Sequence, residues 1–157
     1  MSVPKEVTVN GRRYQISKMT PLVACRIHNW IVSGQAKMAM QMAEYMPEEI
    51  PEKDESAISK LTPEERADGA VVSTWNMAST AWSEELIEKI QMHCLKAVLS
   101  YPDEADGPPA PVMSSDGRWA DRRLQDDTQA VDQLIREALK FNVSPFFTGN
   151  QSNQAGA

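Results

Sequence analysis

The stretch Val7-Thr8-Val9-Asn10-Gly11-Arg12-Arg13-Tyr14-Gln15-Ile16 sets the start of the fold. Apolar and polar residues alternate on either side of Asn10-Gly11, the pair that best tolerates the two positive φ angles of a type I′ turn. With Val9 opposite Arg12, one face of the hairpin carries Val7, Val9, Tyr14 and Ile16, so the spacing predicts a half-buried β-hairpin over 7–16. Thr20-Pro21 follows at once as an N-cap and a proline at the first helical position. Leu22, Val23, Cys25, Ile27, Trp30 and Ile31 then give a helix over 21–33, ending at Gly34.

Outward from this nucleus, residues 35–46 are strong helix formers stopped by Pro47, which predicts a second short helix. Residues 47–61 hold two prolines and many acids and read as a solvated loop. Thr62-Pro63-Glu64-Glu65 forms a capping box for a helix to about Ser79, and Ser83-Glu84-Glu85 starts another. The apolar residues of the latter, Leu86, Ile87, Ile90, Cys94, Leu95, Val98 and Leu99, keep the i, i+3, i+4 spacing of a buried face until Pro102.

A Pro-rich loop over 102–118 ends in a brief extended stretch turning at Asp116-Gly117, a small hairpin or a turn. The last helix is expected over 127–142, with Val131, Leu134, Ile135, Ala138 and Leu139 on one face. Residues 148–157 are polar or small and read as a disordered tail. The fold class is therefore mainly α: a small N-terminal β-hairpin followed by a compact helical domain of about five helices. All of it lies in one domain over 1–147.

Composition narrows the function. A chain of 157 residues with 41% hydrophobic and 24% charged residues has the balance of one soluble domain. Its net charge of −6 lacks the basic footprint of a duplex binder. No apolar run approaches the roughly 18 residues of a membrane span, and the N-terminus lacks the apolar core of a signal peptide, so a cytosolic protein is expected. The charge is polar along the chain: residues 1–43 carry Lys5, Arg12, Arg13, Lys18, Arg26 and Lys37 against Glu6 alone, whereas 44–68 are strongly acidic. Such asymmetry suits either head-to-tail self-association or two solvated faces.

Candidate chemistry is sparse. Cys25 and His28 on one helix and His93-Cys94 on another can be drawn as a zinc set, but neighbouring helical residues diverge by about 100°, so His93 and Cys94 do not face one metal. Core packing for the two cysteines and surface positions for the two histidines explain the same residues. Asp116, Asp121, Asp126 and Asp127 resemble the carboxylate set of a metal-dependent nuclease, yet a turn and a helix cap account for them. None of the phosphate-binding, nucleophile-elbow or zinc-protease motifs is present. The expectation is a protein that is not an enzyme, with no catalytic residue, cofactor or metal. The remaining oddity is methionine: Met38, Met42, Tyr45 and Met46 share a helical face, either packing the core or offering an adaptable apolar surface to a partner.

The hairpin from Val7 to Met19 running into a Pro-initiated apolar helix resembles the start of small phage tail assembly chaperones. The stretch from Met92 to Val98, a variable loop with an Asp-Gly turn, and then Leu134 to Phe147 with Asn142 and the terminal Phe146-Phe147 resembles their closing helix. The similarity follows 7–147 in order, apart from 47–82. It implies a non-catalytic, cytoplasmic protein absent from the finished virion. Such a protein binds and solubilises the tail tape measure protein and helps gather tail-tube subunits, through a longer frameshifted form in many cases, and it self-associates weakly. On this reading partner contacts fall to Met38, Met42, Tyr45, Met46, Phe146 and Phe147, with Trp30 a weaker candidate. The alternatives are a small nucleic-acid-binding regulator touching its target through the basic N-terminal segment, and a nuclease built on the Asp116 to Asp127 group.

Overall fold

The computed structural model describes residues 3–43, 61–102 and 107–155, and side chains over the same residues except 35–43, 78–81 and 147–155. Strands β1 (Lys5–Val9) and β2 (Arg12–Ile16) pair antiparallel with Val9 opposite Arg12. Asn10 and Gly11 both adopt positive φ, at 52° and 77°, so the turn is the one their side chains favour. Val9, Tyr14 and Ile16 are buried and Val7 packs at the edge of the same core, as the alternation predicts.

The hairpin does not stand alone. Strand β3 (Val98–Ser100) pairs antiparallel with β2, and β4 (Ala110–Pro111) pairs with β3, giving a four-stranded sheet in the order β1-β2-β3-β4. Val98 and Leu99 are therefore strand residues, where the sequence puts the end of a helix. Their helical spacing is genuine, but the Ala97 carbonyl accepts from Ser17 N at 2.8 Å and Leu99 pairs with Gln15, so tertiary pairing overrides periodicity. The outer face of the sheet is polar: Tyr101 Oη donates to Glu6 and lies 3.0 Å from the Gln15 side-chain amide, and the Arg13 guanidinium lies 4.5 Å from the Tyr101 ring.

Five helices complete the described residues: α1 (Pro21–Ala43), α2 (Pro63–Ala81), α3 (Glu84–Lys96), α4 (Arg122–Gln125) and α5 (Thr128–Ala155). The starts of α1, α2, α3 and α5 are those written in the sequence, whereas the short α4, capped by Asp121, has no counterpart in the sequence reading. Thr62 Oγ1 accepts from Glu65 N, Ser83 Oγ from Leu86 N and Asp127 Oδ1 from Ala130 N, each satisfying an orphan donor of the first turn. Helix α5 is the central strut: Leu134, Ile135, Ala138, Leu139 and Val143 are buried against the sheet, α2 and α3.

Two helix ends differ from expectation. Helix α1 does not stop at Gly34; it is one 23-residue helix, roughly 35 Å long. Gly34 lies against the Trp82 indole, where a Cβ would overlap the ring, so glycine serves close packing and not termination. Helix α5 likewise continues through Pro145, and its backbone is helical to Ala155 over the segment whose composition suggests a disordered tail. The Asp116-Gly117 turn is found as expected, with Gly117 at φ 86° and Met113 bridging to Trp119.

Candidate partner-binding surface

The two ends of the chain meet at one junction. Proline has no N–H, so Pro145 inside α5 leaves the carbonyl of Phe141, four residues earlier, without its helical donor. The Lys18 ammonium donates to that carbonyl and sits 3.9 Å from the centroid of the Phe141 ring. One residue on, buried Asn142 accepts from Met19 N at 2.7 Å and donates to the carbonyls of Ser17 and Ala138. The Ser17-Lys18-Met19 connection between β2 and α1 is thereby stitched to α5. Burial pulls the Lys18 pKa down from its ordinary value by desolvating the ammonium.

Next to Pro145, the half-buried Phe146 ring stacks on His28 of α1, centroids 5.1 Å apart. His93 of α3 lies 6.4 Å from Trp30, which packs at the edge of the core. Burial lowers the pKa of both histidines, with Lys96 and Arg26 adding to the effect at His93 and a hydrogen bond with Asn29 opposing it at His28. Neither histidine is the simple surface residue expected. Cys94 is buried as expected, and burial pushes its thiol pKa up, but Cys25 is exposed on the outer side of α1 and not packed as a small hydrophobe.

Of the residues assigned to partner contact, the structure locates Phe146 beside His28. Met38 and Met42 lie on the α1 backbone and Phe147 on that of α5, with side chains outside the described residues; Tyr45 and Met46 lie outside them altogether. By helical spacing Met38 and Met42 prolong the face that carries Ile27, Ile31 and Gly34. Large apolar side chains exposed elsewhere are Val3, Leu22, Val32, Leu61 and Met77.

Many of the charged residues pair with one another, some partly buried and others at the surface. Among the basic N-terminal residues, Lys5 pairs with Glu137 at 2.9 Å, Arg12 with Asp121 at 3.0 Å and Arg13 with Glu6 at 3.3 Å, while Lys18 holds Phe141. The carboxylates are similarly placed. Asp121 caps α4 as well as binding Arg12, Asp127 caps α5 and accepts from Asn10, and Asp116 accepts from Ser114 within its turn. Among the described residues no three His, Cys, Asp or Glu side chains form a group able to hold a metal ion. A cleft of about 410 Å³ beside Pro145 sets Lys5, Lys18 and Lys140 against Glu64 and Asp68, so charges of both signs line it. Among the described residues no helix is long and apolar enough to cross a membrane.

Compared with protein-family models, with curated proteins and with solved structures, the chain finds no match. Sequence reasoning assigned neither Lys18 nor His28 to this junction. A signal for Lys18 was present: a proline inside an otherwise continuous helical pattern frees a carbonyl, and a basic residue beside a buried connection is a natural donor.

Proposed function

We propose that this protein is a non-catalytic tail assembly chaperone, a holdase that keeps the apolar helices of a tape measure protein soluble in the bacterial cytoplasm and is left out of the finished virion. The observation that carries the reading is the junction itself. The two stretches that bear the resemblance, the hairpin with its Pro-initiated helix and the closing helix with Asn142 and Phe146-Phe147, are joined through Met19 and Asn142. A shared pattern at opposite ends of a chain is more informative when the two parts form one structural unit.

The placement of charges supports a binding role over the two alternatives. Of the candidate nuclease carboxylates Asp116, Asp121, Asp126 and Asp127, three are engaged in a turn, an ion pair and caps, and among the described residues no three His, Cys, Asp or Glu form a metal-holding group, which favours a binding role. Lys5 and Arg12 pair with partly buried Glu137 and Asp121, which ties part of the basic N-terminal segment into the fold and leaves it a less continuous phosphate-tracking face. The Met38 to Met46 segment and the Phe146-Phe147 end remain as the adaptable apolar contacts for a long helical partner.

Co-expression with the long helical tail protein encoded by the same phage tests the reading. The expected result is a soluble partner that co-elutes with this chain in gel filtration, and loss of co-elution when Met38→Glu and Met42→Glu are combined with the circular dichroism spectrum unchanged. A partner that precipitates while this chain elutes alone overturns the assignment.

A further inference from the structure

The cleft beside Pro145 is lined by opposite charges that do not meet. Lys5 of β1 and Lys140 of α5 share one carboxylate, that of Glu137, at 2.9 and 2.7 Å. Lys18 is bound to the neutral Phe141 carbonyl, so the three ammonium groups gather along α5 with a single anion between them. Glu64 and Asp68 line the same cleft from α2, one helical turn apart. Among the described residues neither of these carboxylates has an ion-pair or hydrogen-bond partner. A positive wall in excess of its own anion therefore stands across open space from an uncompensated negative one.

The surface between the walls has a second unfinished feature. Phe141, Ser144 and Pro145 of α5 complete the lining. Ser144 is 5% exposed, and its Oγ has no hydrogen-bond partner among the described residues. A hydroxyl withdrawn from water without a replacement partner costs free energy, and most buried polar groups avoid that state. Pro145 adds rigidity, because the carbonyl it frees pins Lys18 before anything enters the cleft.

We propose that this cleft is a binding site for a small zwitterion, an amino acid or a short peptide. Its carboxylate meets Lys18 and Lys140, its ammonium meets Glu64 and Asp68, its apolar part lies on Phe141 and Pro145, and its polar atoms supply the partner that Ser144 lacks. Charge selects this class. A simple anion drawn to the lysines is repelled by the carboxylates opposite, a simple cation meets the reverse, and a molecule carrying both signs gains at both walls. The cavity, about 410 Å³, falls within the roughly 300–1,000 Å³ of small-molecule sites. The site is independent of the chaperone reading, and its test uses the purified chain without a partner protein.

Isothermal titration of the whole chain with free phenylalanine, with the dipeptide Ala-Phe, and with the N-acetylated and C-terminally amidated dipeptide tests the assignment. Saturable one-site binding is expected for phenylalanine or Ala-Phe, and the tighter of the two shows whether the walls suit charges one residue apart or further. Blocking either end of the dipeptide should weaken binding by about tenfold or more, the loss of one charged hydrogen-bonding group. Glu64→Gln combined with Asp68→Asn should remove the discrimination between the free and the N-acetylated form. Ser144→Ala should weaken binding severalfold while the urea midpoint of the free chain stays equal or rises, since the hydroxyl it removes has no partner there; a packing role would lower that midpoint. No saturable binding of either zwitterion at millimolar concentration, equal binding of blocked and free dipeptide, inorganic phosphate binding as tightly as the zwitterion, or an affinity unchanged in either variant overturns the proposal.

Discussion

The Lys18 ammonium supplies Phe141 with the hydrogen bond that Pro145 removes from α5. A proline in a helix interior ordinarily breaks or kinks it at a cost of about 3 kcal/mol, part of which is the orphaned carbonyl. Here a residue 123 positions away in sequence fills the gap and covers the adjacent ring with its cation.

Lys18→Met should therefore destabilise the fold by roughly 0.5–1.5 kcal/mol, the range for losing one hydrogen bond that solvent can in part replace. The informative comparison is with Pro145→Ala, which restores an N–H at position 145. In that background the same lysine substitution should cost markedly less, and urea titration of the four proteins in a double-mutant cycle reads the difference. Equal costs in both backgrounds would show that Lys18 acts through something other than the freed carbonyl.

Asn142 makes three hydrogen bonds from a buried position. Asn142→Leu leaves Met19 N and two carbonyls short of a partner and should cost roughly 2–4 kcal/mol. For a domain of this size that lowers the thermal midpoint by several degrees, at about 2–4 °C per kcal/mol. Calorimetry checks it.

Gly34→Ala runs against helix propensity. Alanine is favoured over glycine in a helix interior by about 1 kcal/mol, yet its Cβ would overlap the Trp82 indole, and overpacking of this kind typically costs 1–3 kcal/mol. The expected outcome is net destabilisation with a red-shifted tryptophan emission. A stabilised variant with unchanged fluorescence would mean the indole moves aside at no cost.

Acid should weaken the fold in two stages. His28 and His93 have folded pKa values below the ordinary 6.5, so the unfolded chain binds protons first and stability falls as the pH drops through that value. For Glu137, burial opposes ionisation but the hydrogen bonds from Lys140 and Lys5 outweigh it and hold its pKa below the ordinary 4.5. Its contribution is present above that pH and is lost as the pH falls through the depressed folded value. Urea midpoints measured from pH 8 to pH 3 should show both stages, and His28→Phe combined with His93→Leu should flatten the first alone.

The parts of this fold that could be read from sequence are those governed by local chemistry. Asn10-Gly11 dictates its turn and register, and Thr62, Ser83 and Asp127 announce helix starts, because each acts on backbone within four residues of itself. The misreadings share a cause. Gly34, Val98 and Leu99 have their roles set by residues far along the chain, Trp82 for the glycine and the β2 strand for the other two. Periodicity carries no record of such partners. The exposed Cys25 was hidden for a related reason: α1 has apolar residues on both faces, and only the packed structure shows which one is turned inward.

The bond between Met19 and Asn142 also has a meaning for synthesis. Because the connection between β2 and α1 is closed by a residue 123 positions further along the chain, that bond cannot form on a nascent chain until α5 has been made, and its closure is a long-range step of folding whatever forms earlier around the hairpin.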